Sequence, residues 1–505
     1  MRYFTGKLLK ARALRCSFLL MLLSSGAQAA TRTDCGAARQ LHLPSVRIES
    51  ADAIMAGTRP EFLQEALPGA SRVAMAPNDF CRVSARANPG VDSDIRFELW
   101  VPLGAAWNGK FQQVGNGGFA GSIPYPAMWD AVRRGYAVAG TDDGHRGATI
   151  DATWAIGHPE RITDFGWRAV KQTTDASQRI LAAVSGARPR RSYFVGCSDG
   201  GREALMVAQR FPADFDGIIA GAPANNWTRL QAEAALLEKS YDPQSDLPDS
   251  KLPLLQQAVL RTCAGGNAYL TDPRDCHFSP ESLQCSGAGN RSDCLTRPEV
   301  ATARQIYEGF TNPGDGEQLP GLEPGAEAQP GSWSTWLLGP SAQDRPRGLG
   351  YYFALGFFGA FVRQDPNFRL ADLTEADILK GERQLAPILD AVATDLSTFK
   401  AHGGKIIQFH GWNDPAISPL FSLDYYSAVR AKMGSVDDFY RLFMVPGMLH
   451  CQGGAAPDQV DWLGALEAWV EHGKPPNRLD AKDSQGNRQT LQPFEAMNRA
   501  SGSVQ

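Results

Sequence analysis

The chain of 505 residues has no basic excess, no internal repeat, and no long apolar run beyond its first thirty residues. Each absence excludes something. Lys and Arg number 50 against 54 Asp and Glu, a formal net charge of −4. An acidic body of this kind gives no electrostatic reason to bind nucleic acid or an anionic membrane surface. Without a later stretch of about 20 apolar residues, no spanning helix is expected. Histidines number only 8, so any catalytic base comes from a short roster. The hydrophobic fraction of 43% and charged fraction of 21% are ordinary for globular proteins and exclude a mainly disordered chain. At about 150 residues per domain, the length allows three domain equivalents.

What is present begins with a leader. Arg2, Lys7, Lys10, Arg12 and Arg15 precede the apolar stretch Cys16-Ser-Phe-Leu-Leu-Met-Leu-Leu23, which is followed by Ala27-Gln-Ala29. A basic start, a short apolar middle and an Ala-x-Ala end describe a secretory signal peptide. The stretch is too short for a membrane anchor. Residues 1–29 are therefore read as a signal peptide, and the mature protein as exported, periplasmic or secreted. Nothing in the sequence specifies an oligomeric state.

Export changes what the cysteines mean. Apart from Cys16 they are Cys35, Cys81, Cys197, Cys263, Cys276, Cys285, Cys294 and Cys451, an even number in an oxidising compartment, where disulfides are favoured. A zinc site between Cys263 and Cys294 would compete. That cluster has no CxxC pair, and His277 is its only imidazole.

Strand-like segments occur at residues 95–101, 110–114, 136–139, 192–195 and 217–220, with helical patterns at 164–184 and 202–210. Short apolar strands alternating with helices predict a mostly parallel α/β sheet. After about residue 225 the texture changes. Strand signals become few, a Gly/Pro-rich stretch covers 312–332, and aromatics gather at Tyr351, Phe353, Phe357, Phe358 and Phe361. The sheet pattern resumes at 405–409 and 441–445. We read a first sheet part at 30–225, an inserted lid at 226–397 and a second sheet part at 398–505. The lid aromatics are expected mainly to form the lid's own core, with some facing a substrate.

Gly196-Cys-Ser-Asp-Gly200 fits G-x-S-x-G between a strand and a helix, the context in which a strained turn projects a serine hydroxyl. A serine needs a base to take its proton and a third group to orient that base. In this fold the chain order is nucleophile, acid, histidine. Asp414 ends the loop after the strand at 405–409, and His450 lies in the loop after the strand at 441–445. Ser198, Asp414 and His450 are the candidate triad. Cys197 precedes the serine and Cys451 follows the histidine, so contact of the two catalytic groups would bring these cysteines near bridging range. The N–H of Asp199 and that of Gly117 in Gly115-Asn-Gly-Gly118 are the expected oxyanion donors, with Gly118 close behind. Asp142, Asp143 and His145 read as a structural strand-end loop. Asp164-Phe-Gly166 resembles a kinase tripeptide but lacks the accompanying phosphate loop.

These stretches resemble the tannase and feruloyl esterase family, which includes mono(2-hydroxyethyl) terephthalate hydrolases. The resemblance is carried by Gly115-Asn-Gly-Gly-Phe-Ala-Gly121, Gly157-His-Pro-Glu160, Asp164-Phe-Gly166, Gly196-Cys-Ser-Asp-Gly-Gly201, His410-Gly-Trp-Asn-Asp-Pro415 and Pro446-Gly-Met-Leu-His-Cys451. It implies an α/β-hydrolase fold with a large inserted lid domain. It also implies bridges Cys197–Cys451, Cys35–Cys81, Cys263–Cys276 and Cys285–Cys294. Many members carry a lid calcium loop before a segment matching Asp272-Pro-Arg-Asp-Cys276. Here residues 264–271 are short and lack a carboxylate, so no metal and no cofactor are expected. The expected activity is hydrolysis of a small aromatic ester of hydroxycinnamoyl or galloyl type. The alternatives are a terephthalate monoester as substrate, or an exported binding protein that has lost catalysis.

Overall fold

The computed structural model describes residues 34–62, 75–241, 247–287, 292–338 and 348–494. The leader read at 1–29 lies outside these residues.

The strands are β1 (Val46–Ile54), β2 (Phe80–Ala87), β3 (Ile95–Pro102), β4 (Lys110–Val114), β5 (Ala137–Thr141), β6 (Arg191–Cys197), β7 (Gly217–Gly221), β8 (Gly309–Thr311), β9 (Gln318–Pro320), β10 (Lys405–Gly411) and β11 (Tyr440–Val445). Nine of them form one sheet in the order β1-β2-β3-β5-β4-β6-β7-β10-β11. The β1, β2, β3 and β5 pairings are antiparallel, whereas β5, β4, β6, β7, β10 and β11 run parallel. This is the α/β-hydrolase fold.

Helices cover both faces, so the parallel strands carry apolar side chains in both directions. The period of two assigns neighbours to opposite layers. Phe194, Ile218, Ile406 and Leu442 pack with Ile180, Leu181 and Leu205 of helices Ala169–Ser185 and Asp199–Arg210. Tyr193, Ile219, Ile407 and Phe443 pack on the other face with Met128, Leu466 and Trp469 of helices Tyr125–Arg133 and Trp462–His472. Burying one such side chain contributes about 1.5–3 kcal/mol. Two full layers therefore fix the strand register, and the register sets where each loop at the carboxyl edge begins.

The insertion after β7 opens with helix Trp227–Ser240 and continues through helices Leu252–Cys263, Arg297–Glu308, Leu349–Gly356 and Glu375–Leu389, with β8 and β9 as a short antiparallel pair. Its aromatics are not a separate core. Phe357, Phe358 and Phe361 are buried with Phe119, Trp154 and Phe165 from the sheet domain's loops. The expectation of an independent aromatic core in the lid is therefore replaced by a shared layer. The reason is local: the helix bearing these residues packs onto the β4 and β5 loops, so its apolar side has no exclusive partner within the lid.

Disulfides join Cys35 to Cys81, Cys197 to Cys451, Cys263 to Cys276 and Cys285 to Cys294.

Candidate active site

Loops from the carboxyl ends of β4, β6, β10 and β11 meet at one edge of the sheet. Ser198 follows β6 directly, with φ +64° and ψ −122°. A non-glycine residue at positive φ is strained and needs a fixed surrounding. The surroundings supply it. The Ser198 N–H donates to Gly221 O at 3.0 Å, and the Ala224 N–H donates to Ser198 O at 3.1 Å. A Cβ on Gly196 would sit 2.2 Å from Gly200 O, so only glycine allows helix Asp199–Arg210 to turn back so sharply over the strand.

Asp414 is fully buried. Its Oδ1 accepts the N–H groups of Ala416 at 2.8 Å and Ile417 at 3.0 Å. Its Oδ2 lies 2.7 Å from His450 Nδ1 and 3.2 Å from His410 Nε2. Burial works against its ionisation, but His450 and His410, by charge and hydrogen bond, hold the carboxyl well below the usual carboxylate range. The second imidazole is itself fixed, with His410 Nδ1 2.7 Å from Ser422 Oγ and Nε2 3.1 Å from Ile417 O. The Asn413 N–H donates to Met448 O at 3.0 Å, which ties the β10 loop to the β11 loop.

The disulfide between Cys197 and Cys451, with Cα atoms 6.1 Å apart, places the neighbours Ser198 and His450 at the same edge. Among the described residues, no hydrogen bond joins the Ser198 hydroxyl to the imidazole. The other side of the His450 ring meets Trp336 edge to face at 5.2 Å.

The loop after β4 is docked onto the helix that follows Ser198. The Gly200 N–H donates to Asn116 O at 2.8 Å, and the Asn116 N–H donates to Glu203 Oε2 at 2.9 Å. Asn116 Nδ2 donates to Thr141 O and to Asp143 Oδ2 at 2.7 and 2.9 Å. Gly118, at φ +59°, lines the cavity beside Ser198, whereas Gly117 does not. Among the described residues, the N–H of Asp199 meets no acceptor.

Behind this loop the carboxylates of Asp143, Asp199 and Glu203 lie within 4.8 Å of one another, all buried. They are the one group among the described residues close enough to hold a cation. Arg202 already supplies positive charge there, donating to Asp199 at 2.6 Å and to the carbonyls of Phe165 and Gly166 at 3.0 and 2.8 Å. Burial pushes the Glu203 carboxyl up to about 7, so protons share the cluster. The Asp164-Phe-Gly166 stretch thus serves as an anchor for a buried guanidinium. His145 stacks on Trp154 at 3.7 Å and contacts Phe119 O at 2.7 Å, holding the wall of the same loop.

The cavity at Ser198 is walled by Trp227, Leu230, Gln231, Trp336, Phe353 and Ile417. Of the lid aromatics named from sequence, only Phe353 lines it. Trp227, Gln231 and Trp336 were missed. Their signals were faint: the helical spacing of Trp227, Leu230, Gln231 and Ala234, and a tryptophan pair closing the Gly/Pro-rich stretch.

The lid loop that the sequence reads as having lost a calcium site has its polar groups engaged within the chain. The Asp272 carboxylate is engaged by Arg274, with Nε 2.9 Å from Oδ1, and the Asn267 side chain donates to Ala264 O at 3.0 Å.

The fold and this arrangement belong to the class of α/β-hydrolase esterases. The family model for tannase and feruloyl esterase matches residues 81–500, and the chain belongs to that family. It is 38% identical over 510 residues to an uncharacterized esterase of Xanthomonas campestris, spanning 91% of this chain and 85% of that protein. It is 30% identical over 491 residues to the mono(2-hydroxyethyl) terephthalate hydrolase of Piscinibacter sakaiensis, spanning 83% and 80%. A crystal structure of an esterase from Aspergillus oryzae superposes with a TM-score of 0.81 at 26% identity, over 91% of this chain and 95% of that one. The chain is accordingly a carboxylic ester hydrolase.

Proposed function

We propose that the chain is an exported serine esterase that cleaves small aromatic esters, of hydroxycinnamoyl or galloyl type, through an acyl-enzyme. The observation that carries this reading is the Asp414–His450 hydrogen bond at the same sheet edge as a strained Ser198, inside an aromatic-walled cavity. Ser198 attacks the ester carbonyl, and His450 takes the proton and returns it to the leaving alcohol. Asp414 holds the imidazole through Nδ1 and stabilises its cationic form. The N–H groups of Asp199 and of the loop after β4 donate to the tetrahedral oxyanion, with Gly118 the better placed of the two glycines. Water then cleaves the acyl-enzyme by the reverse proton route. No metal takes part in this reading. The protein divides as 30–225 and 398–505 for the hydrolase domain and 226–397 for the lid.

The test is steady-state hydrolysis of methyl ferulate, methyl gallate and mono(2-hydroxyethyl) terephthalate side by side, with Ser198→Ala as control. Turnover of the first or second that vanishes in the variant is expected. Turnover of the terephthalate ester alone would reassign the acyl group. A correctly oxidised wild type inert on every ester would leave a binding protein on this scaffold.

A further inference from the structure

The cavity at Ser198 does not end at the aromatic wall. Leu230, Ala234, Trp336, Gly350 and Ala416 line both it and a second stretch of cleft, so the two adjoin. Helix Trp227–Ser240 forms one side of both. Trp227, Leu230, Gln231 and Ala234, spaced as one helical face, look toward Ser198. Glu233 and Leu237 line the farther stretch, Glu233 lying about 9 Å past Trp227 along the helix axis.

Glu233 is out of place there. Among the described residues its Oε2, sealed from solvent, has no hydrogen-bond partner. Buried polar groups are nearly always paired, and one that is not within a substrate cleft is left for the occupant. The same stretch is lined by Leu230, Ala234, Phe310 and Leu322, with Gln305, Glu238 and Ser418 as its other polar side chains. Among the described residues, no Lys or Arg lines either stretch. Against this described lining a neutral substrate group is the one that suits Glu233. Bringing a carboxylate into that stretch would strip its water without an opposing cation.

We propose that Glu233 determines acyl specificity, binding the distal hydroxyl of a hydroxycinnamoyl ester and disfavouring a carboxylate at the same position. This deepens the esterase reading above and rests on it. Burial alone pushes the Glu233 carboxyl up to about 8. That shift favours the neutral acid, able to donate to a phenol oxygen or accept from its O–H.

The experiment compares kcat/KM for three esters differing only at the ring para position: methyl 4-hydroxycinnamate, methyl cinnamate and methyl 4-carboxycinnamate. Wild type should prefer the hydroxyl over hydrogen by about tenfold or more, with the carboxylate slowest. Glu233→Leu should bring the hydroxyl-to-hydrogen ratio close to one. Glu233→Gln, which keeps a donor and an acceptor, should retain most of it. An unchanged ratio in the Leu variant overturns the proposal. So does a wild type that treats the three esters alike, a result that needs no variant to fold. If wild type cleaves aliphatic esters through Ser198 but none of these, the aromatic reading fails first and this assignment falls with it. Ser198-dependent turnover with no para preference removes Glu233 alone.

Discussion

Removing the bridge beside the proposed nucleophile should separate its two duties. The perturbation is Cys197→Ala with Cys451→Ala. The bridge closes a loop with a sequence separation of 254. By the chain-entropy relation a loop of that size stabilises by about 5.5 kcal/mol at 25 °C. The nested bridges, with separations of 13 and 9, shorten the loop too little to change its logarithm. Measured bridges usually deliver less, so a loss of about 2–5 kcal/mol is expected. The positional effect follows from what else holds each residue. Ser198 keeps its bonds to Gly221 and Ala224, and Asp414 keeps four partners. The residue left less constrained is His450, whose neighbour Cys451 sits at φ +63°.

A displacement of about 1 Å at a reacting group costs about 10²-fold. kcat on a small activated ester should fall by that order. KM should change little, because Trp227, Leu230 and Gln231 stand on a helix the bridge does not touch. Urea unfolding read by fluorescence gives the stability, and initial rates give kcat and KM. A variant as active as wild type, whatever its stability, would refute the positional half of the argument. One as stable as wild type would refute the entropic half.

Asp414→Asn should lower kcat by about 10⁴-fold with the fold intact, since an amide has one acceptor oxygen where the carboxylate uses two, one for the imidazoles and one for the N–H groups of Ala416 and Ile417; a loss under about tenfold would remove Asp414 from the proposed triad. Stability should fall between pH 6.5 and 8.5. Burial pushes Asp142, Glu203 and Glu323 up to about 7, so the native state holds protons the unfolded chain has already released, and this contribution is lost as pH rises through those values. His145, lowered by burial to about 4, acts in the opposite sense only below about 6.5. A urea midpoint that rises over this interval would contradict the sign. Treatment with EDTA should leave activity unchanged and shift the thermal midpoint by less than about one degree, because Arg274 occupies the carboxylate a lid calcium would need; a larger drop restored by calcium would place an ion in the lid.

The parallel centre of the fold was legible because its strands are short, apolar and buried on both faces. Residues 110–114 coincide with β4, and 405–409 fall inside β10. The segments β1 and β2 were not named. β1 lies at the sheet edge, carries Arg47, Glu49 and Asp52, and shifts register between Ile48 and Ser50, so its pattern is broken by charge and by a bulge. Glycine spacing and chain order bring Ser198, Asp414 and His450 into view because local turns demand them. The wall of the cleft leaves no such trace. Phe353 lines it while Phe357, Phe358 and Phe361, a few residues on, are buried against Phe119 and Phe165, since a helical stretch turns neighbours to different sides. The same geometry hid Glu233. In the sequence it is one acid on a helix among alanines and leucines, the usual sign of a solvated face. The cleft formed with Trp336 and the strand-end loops half-buries that face, and a carboxyl that looked ordinary becomes, on our proposal, the polar side chain a substrate would have to satisfy.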